Sequence, residues 1–145
     1  MVCRMNLQIS LVAALALTLF PTSALSEGEV LELACPSCGY RQHLVQGSNA
    51  DDERRNVQSI IVVCERTREI RSIRIPIDPA APVHGEPLVA RQYGTGRSEL
   101  LGIRLPRFLV PGNTCPLFPI TAYLEHNVCP LDGRPGIQYA VVGYF

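Results

Sequence analysis

Residues 57–77 read VQSIIVVCERTREIRSIRIPI, and this stretch is the strongest indication of the fold class. Up to residue 63 it is dominated by β-branched Val and Ile, which favour extended backbone. From Ile70 to Ile77, isoleucines recur between arginines, as in a strand with one buried face. The stretch CERTR between the two halves is polar after its cysteine. We therefore predict a β-hairpin whose turn is residues 64–68.

Further strands are predicted on both sides of this hairpin. Residues 29–34 and 40–45 flank a turn that contains two cysteines, and residues 137–145 form an uncharged last strand rich in Tyr and Val. A single helical turn is expected at 121–126. The predicted fold is mainly β, a small antiparallel sheet of hairpins with cysteine-bearing turns (knuckles), long irregular loops and little helix.

Two segments are predicted to lie outside regular strands. Residues 47–56 consist almost entirely of polar residues and glycine, so they are expected to form a loop. Residues 76–112 are rich in proline, which lacks the amide proton that a central strand needs. We therefore predict an irregular proline-rich insertion at 76–112, with short extended pieces that cover the core.

The N-terminal segment has the pattern of a secretion signal. Arg4 precedes an uncharged apolar run at 7–20, which is followed by a proline and small residues at 21–24. The run is shorter than the roughly 20 residues of a membrane-spanning helix, so no stable membrane anchor is expected after cleavage. We predict a signal peptide at 1–26, a single cysteine-containing domain at 27–145, and export to a periplasm or secretion.

The charge of the predicted mature chain argues against nucleic acid as a partner. Without Arg4 it keeps 12 of the 13 basic residues, all of them arginine, against 13 acidic ones, which leaves no basic excess. His43, His84 and His126 share no metal-ligand spacing, and no serine lies in a hydrolase elbow. We therefore predict that the protein is not an enzyme and that it has no catalytic residues.

Cysteine is the residue type that carries chemistry here. Five cysteines follow the predicted signal: Cys35, Cys38, Cys64, Cys115 and Cys129. An oxidising compartment favours disulfides, but an odd number leaves at least one cysteine unpaired or otherwise bound. The stretch CPSCG at 35–39 places two thiols on one tight turn, where Pro fixes one dihedral angle and Gly permits the left-handed conformation. Backbone amides in such a turn point at sulfur, as metal binding requires.

The CPSCG stretch resembles the first knuckle of a zinc ribbon, the rubredoxin-like arrangement of two cysteine-bearing hairpins around one metal. The resemblance implies a tetrahedral site with four cysteine ligands and a structural zinc ion. The second knuckle departs from the pattern. Cys64 is followed by Glu, Arg and Thr, whereas Cys129 begins CPLDG, which has Asp132 where the second cysteine would stand.

The ligand set that follows from this resemblance is Cys35, Cys38, Cys64 and Cys129. Cys115 is the alternative fourth ligand. Three further candidates are Asp132, His43 and His126, although a lone histidine is more often an ordinary surface residue.

Two other interpretations of the cysteines stay open. In the first, Cys35 or Cys38 forms a disulfide with Cys64, and Cys115 forms one with Cys129, which leaves one thiol for redox chemistry or intermolecular pairing. In the second, CPSC is a dithiol oxidoreductase site. The absence of an amphipathic helix after Gly39 argues against that site.

The expected function is that of a binding or accessory module. Zinc would hold the sheet together, and the apolar last strand would offer a surface to another exported protein. The alternative is a metal-handling protein whose thiolates exchange zinc or another soft cation.

Overall fold

The computed structural model describes residues 27–86 and 88–145; the predicted signal peptide lies outside these ranges. The described chain is mainly β, as predicted, with small antiparallel sheets and little helix. The strands are β1 (Glu29–Cys35), β2 (Tyr40–Gln46), β3 (Val57–Cys64), β4 (Glu69–Pro76), β5 (Arg91–Arg97), β6 (Arg104–Leu109), β7 (Phe118–Pro119) and β8 (Gln138–Tyr144). Within the described ranges, no helix has the length and apolar character needed to cross a membrane.

The first sheet has the strand order β2-β1-β8, and all of its pairs are antiparallel. Alternation along β1 directs Leu31, Leu33 and Cys35 into the core. Glu32 on the opposite face pairs with Arg41 and His43 of β2. The ends of β1 and β2 meet at the pair Cys35 and Tyr40, so the 36–39 turn closes this hairpin.

The second sheet has the order β4-β3-β7 and contains the predicted hairpin. Strand β3 lies between two hydrophobic clusters, so its residues are buried on both faces. Ile61 and Val63 pack in the larger cluster with β1, whereas Val62 and Cys64 pack in the smaller one with Phe108 of β6. Because side chains alternate along a strand, neighbouring residues of β3 serve different clusters.

The proline-rich segment is only partly irregular. The expected extended pieces are strands β5 and β6, which pair as an antiparallel hairpin with a register shift between Gln92 and Thr95. Pro106 takes part in this pairing, opposite Thr95, in a two-stranded sheet where its missing amide proton is tolerated. The longest part without strands extends from residue 77 to residue 90, of which Pro87 is not described. Residues 98–103 and 110–112 also lie outside the strands.

The polar segment 47–56, predicted as loop, contains a short helix, α1 (Ala50–Arg55). Asn49 and Asp52 form a capping box, in which each side chain accepts the backbone amide proton of the other residue. This capping box fixes the start of the helix, and Ala50, Glu53, Arg54 and Arg55 are good helix formers. The predicted helical turn near residue 121 is present as α2 (Ile120–Glu125).

Asp52 also anchors α1 to the second sheet. Its buried carboxylate accepts hydrogen bonds from Arg74 of β4 at 2.5 Å and from Arg55 at 3.2 Å. Glu86 pairs with the same two arginines. A buried carboxylate needs such partners, because removing a charge from water without compensation costs several kcal/mol.

Candidate metal centre

The first turn of the site lies between β1 and β2. The amides of Cys38 and Gly39 donate to the carbonyl of Cys35 at 3.2 and 2.9 Å, which closes the turn. Gly39 has a φ of 76°, a left-handed conformation that is strained for residues with a side chain. The turn folds Cys38 back, so that its Sγ atom lies 3.7 Å from the Cys35 carbonyl.

The second turn begins at Cys129 and has the same backbone pattern. The Gly133 amide donates to the Cys129 carbonyl at 2.8 Å, and Gly133 has a φ of 73°. The backbone amides of Leu131 and Asp132 act to lower the pKa of the Cys129 thiol, against the larger effect of burial. Amides directed at sulfur favour the thiolate form that binds metals. The sequence frame Cys-Pro-x-x-Gly, shared with residues 35–39, therefore folds into a similar turn at both places.

These two turns bring three cysteines together. The Sγ atoms of Cys35, Cys38 and Cys129 all lie within 4.8 Å of one another, and those of Cys38 and Cys129 are 3.9 Å apart. Four sulfurs around a zinc ion at 2.3 Å would be about 3.8 Å apart in a tetrahedron. Cys35 and Cys129 are buried and Cys38 is exposed. The cluster is thus positioned to bind a metal ion, with one side facing solvent.

Burial governs the protonation of the two inner thiols. It raises the pKa of Cys35 well above the usual range, and hydrogen bonding to Cys129 raises it further. Burial also raises the pKa of Cys129. Clustered thiols in such surroundings keep their protons unless a cation compensates the charge.

Cys64, the remaining member of the predicted ligand set, lies elsewhere, so its assignment to the metal is wrong. It forms a disulfide with Cys115, with Cα atoms 6.1 Å apart. The disulfides considered from the sequence, which joined Cys64 to Cys35 or Cys38 and Cys115 to Cys129, are wrong for the same reason. Alternation along β3 places Cys64 in the smaller cluster with Cys115, while Cys35 and Cys129 belong to the larger one.

The other candidate ligands differ in their proximity to the cluster. The pKa of Asp132 is lowered by hydrogen bonding to Ser37 of the first turn, with contributions from the Arg134 amide and from Cys129. His43 instead pairs with Glu32 at 3.0 Å. The Nδ1 atom of His126 lies 2.8 Å from the carbonyl oxygen of Ala122. Of the three non-cysteine candidates, only Asp132 adjoins the sulfurs.

No protein-family model, curated protein or solved structure matches the chain. The chemical interpretation of the site therefore depends on the geometry of its own residues. The resemblance to a zinc ribbon is confined to two turns, 35–39 and 129–133, and extends to three of the expected four cysteine ligands.

Proposed function

We propose that this chain is a small exported protein in which Cys35, Cys38 and Cys129 hold one zinc ion as a structural centre. The observation that supports it best is the convergence of three sulfurs, from two turns of the same backbone pattern, within 4.8 Å. Thiolates suit zinc, and a site made mainly of sulfur ligands is typical of structural rather than catalytic zinc. Export is proposed from the signal-like sequence at 1–26.

The position of the cluster supports a structural role. Cys38 and Cys129 are 91 residues apart in sequence, and a shared metal would tie the β1–β2 hairpin to the segment that leads into β8. Cys35 and Cys129 also pack in the larger hydrophobic cluster. A metal at this place would join two parts of one core.

The same geometry speaks against a thiol oxidoreductase. In thioredoxin-like sites the first cysteine lies at the start of a helix, which lowers the pKa of its thiol. Here the 35–39 turn leads directly into strand β2, and the pKa of Cys35 is raised. Both features disfavour a nucleophilic thiolate, so we propose a non-enzymatic function.

Strand β8 supports the role of a binding or accessory module. It is an edge strand of the first sheet, and Tyr139, Val141, Val142 and Tyr144 are exposed. No charged residue or proline interrupts residues 137–145, although such residues commonly protect an edge. The proposed partner is an extended segment of another exported protein that pairs with this edge.

The first experiment combines intact mass with metal analysis on the chain purified from its export compartment. The proposal predicts an N-terminus near residue 27, one zinc ion per chain and one disulfide. After denaturation three thiols should react with a thiol reagent, because only Cys64 and Cys115 are bonded among the five cysteines that the structure describes. A metal-free chain with two disulfides, or one retaining residues 1–26, would contradict the corresponding part of the proposal.

A pair of variants tests the ligand assignment. Cys38→Ser should abolish stoichiometric zinc binding, because it removes an exposed ligand without disturbing the buried core. The double variant Cys64→Ala/Cys115→Ala is the matched control, since it also removes cysteines but leaves the cluster intact. Equal zinc content in Cys38→Ser and the wild type would refute the assignment.

A further inference from the structure

The two turns of the metal centre differ at one chemically important position. Cys38 is the fourth residue of the CPSCG frame, and Asp132 is the fourth residue of the CPLDG frame. In both turns the following glycine is left-handed and donates its amide to the carbonyl of the first cysteine. Since the backbones of the two turns are similar, Asp132 occupies the position in the second turn that Cys38 occupies in the first.

The carboxyl of Asp132 lies beside both turns. Ser37 of the first turn, the Arg134 amide and Cys129 all act to lower its pKa. Its Oδ1 atom accepts the Arg134 amide at 2.9 Å, which holds the carboxylate in place. Cys38 is exposed and Asp132 half-buried, so both lie towards the open side of the site.

We propose that Asp132 supplies the fourth ligand, an oxygen, to the metal held by Cys35, Cys38 and Cys129. This inference rests on the proposed function. Carboxylate oxygen is an accepted zinc ligand but a harder one than thiolate. The centre therefore has three sulfur ligands and one oxygen ligand on its solvent side, where an incoming thiol can compete for the metal more easily than at a site of four cysteines.

The test compares zinc affinity and coordination in Asp132→Ala, Asp132→Asn, Asp132→Cys and the wild type. The matched control is Asp78→Ala, because Asp78 makes the same kind of turn contact, from the Ala80 amide at 2.9 Å, outside the cluster. X-ray absorption of the zinc-loaded wild type should show three sulfurs and one oxygen or nitrogen, and Asp132→Cys should show four sulfurs. Circular dichroism verifies that each variant is folded.

We expect Asp132→Ala and Asp132→Asn to lower zinc affinity at least tenfold, since even the loss of an outer-sphere partner costs about 10- to 100-fold. Asp78→Ala should bind like the wild type. Wild-type affinity in folded Asp132→Ala, or three sulfurs in folded Asp132→Cys, would overturn the assignment of Asp132 while leaving the three-cysteine centre standing. A wild type that binds no zinc would instead overturn the proposed function.

Discussion

The two groups of cysteines in this domain are built differently. Cys64 and Cys115 are joined covalently, whereas Cys35, Cys38 and Cys129 are free thiols within 4.8 Å. Cys64 ends a strand that packs against apolar residues, and no Cys-Pro-x-x-Gly frame follows it. The free thiols lie on turns with left-handed glycines.

This difference teaches that the packing of segments, more than the local turn, decides whether a cysteine forms a disulfide or joins a ligand cluster. The turn after Cys64 also has a left-handed residue, Arg68 with a φ of 55°, and an amide that donates to sulfur, that of Thr67 at 3.4 Å. A disulfide needs two Cα atoms at a suitable distance, which any pair of packed segments can provide. A metal cluster needs several sulfurs that converge on one point, and two similar tight turns achieve this. The predictions below test whether the two groups act independently.

Among substitutions that leave the three cysteine ligands in place, loss of the disulfide should have the largest effect on stability. The Cys64→Ala/Cys115→Ala variant opens a link between residues 51 apart in sequence, and the chain-entropy estimate for a loop of that size is about 4 kcal/mol. Urea unfolding monitored by circular dichroism measures the change in the free energy of unfolding. Zinc stoichiometry should stay unchanged. A variant that loses its zinc while folded would show that the two groups are coupled.

Asp52→Asn should have the next largest effect, in the half of the domain that holds the disulfide. The hydrogen bond from Arg74 lowers the pKa of Asp52, and Arg55 contributes to the shift. A lowered pKa means that the stabilisation is present above the unfolded value of about 4 and is lost as the pH falls through the folded value. We expect Asn to cost about 2–3 kcal/mol at pH 7, as for a hydrogen bond to a charged group.

The measurement is urea unfolding of both proteins between pH 7 and pH 2.5. The difference in the free energy of unfolding between wild type and Asp52→Asn should shrink as the pH falls below 4. Asp51→Asn is the matched control, because that carboxylate is exposed on the same helix and its ion pairs with Arg54 and with the half-buried Arg55 are long, at 3.4 and 3.5 Å. A difference that is constant over the whole pH range would contradict the role of the Asp52 charge.

The sequence predicted the hairpin of β3 and β4 and the last strand because alternation and β-branched residues are local signals. Of the four metal ligands predicted from the sequence, three lie close together in the structure. The fourth, Cys64, was misplaced because its partner depends on which face of β3 it occupies. That face is set by the packing of β3 between two clusters, which no local pattern reveals.

Two local patterns in the sequence indicate features of the structure that were not predicted from it. Asn49 followed three residues later by Asp52 is a capping pattern, and it marks the helix α1 inside the segment predicted as loop. The repeat of Cys-Pro-x-x-Gly at 35–39 and 129–133 marks the two turns that meet in the structure. Weighting that repeat above the lone cysteine at 64 would have selected the observed cluster.

The smallest effect is expected at Tyr123, which connects the two groups of cysteines. Its buried hydroxyl donates to Oε1 of Glu65, the residue after Cys64, at 2.6 Å. Its carbonyl accepts the amide of Val128, just before Cys129, at 2.9 Å. Tyr123→Phe keeps the ring and the backbone contact but removes the hydrogen bond to Glu65. Since the Ser98 hydroxyl and the Glu99 amide still donate to Glu65, the cost should be about 1.5 kcal/mol.

Urea unfolding of Tyr123→Phe, beside the control Tyr139→Phe on the exposed face of β8, measures this cost. The control should match the wild type, because its hydroxyl is solvated in both the folded and the unfolded chain. Zinc affinity should be unchanged in both variants, since the contact removed lies on the disulfide side of Tyr123. A folded Tyr123→Phe protein that binds zinc more weakly would show that the disulfide turn helps to position Cys129 through this side chain, and the two groups would then form one cooperative unit.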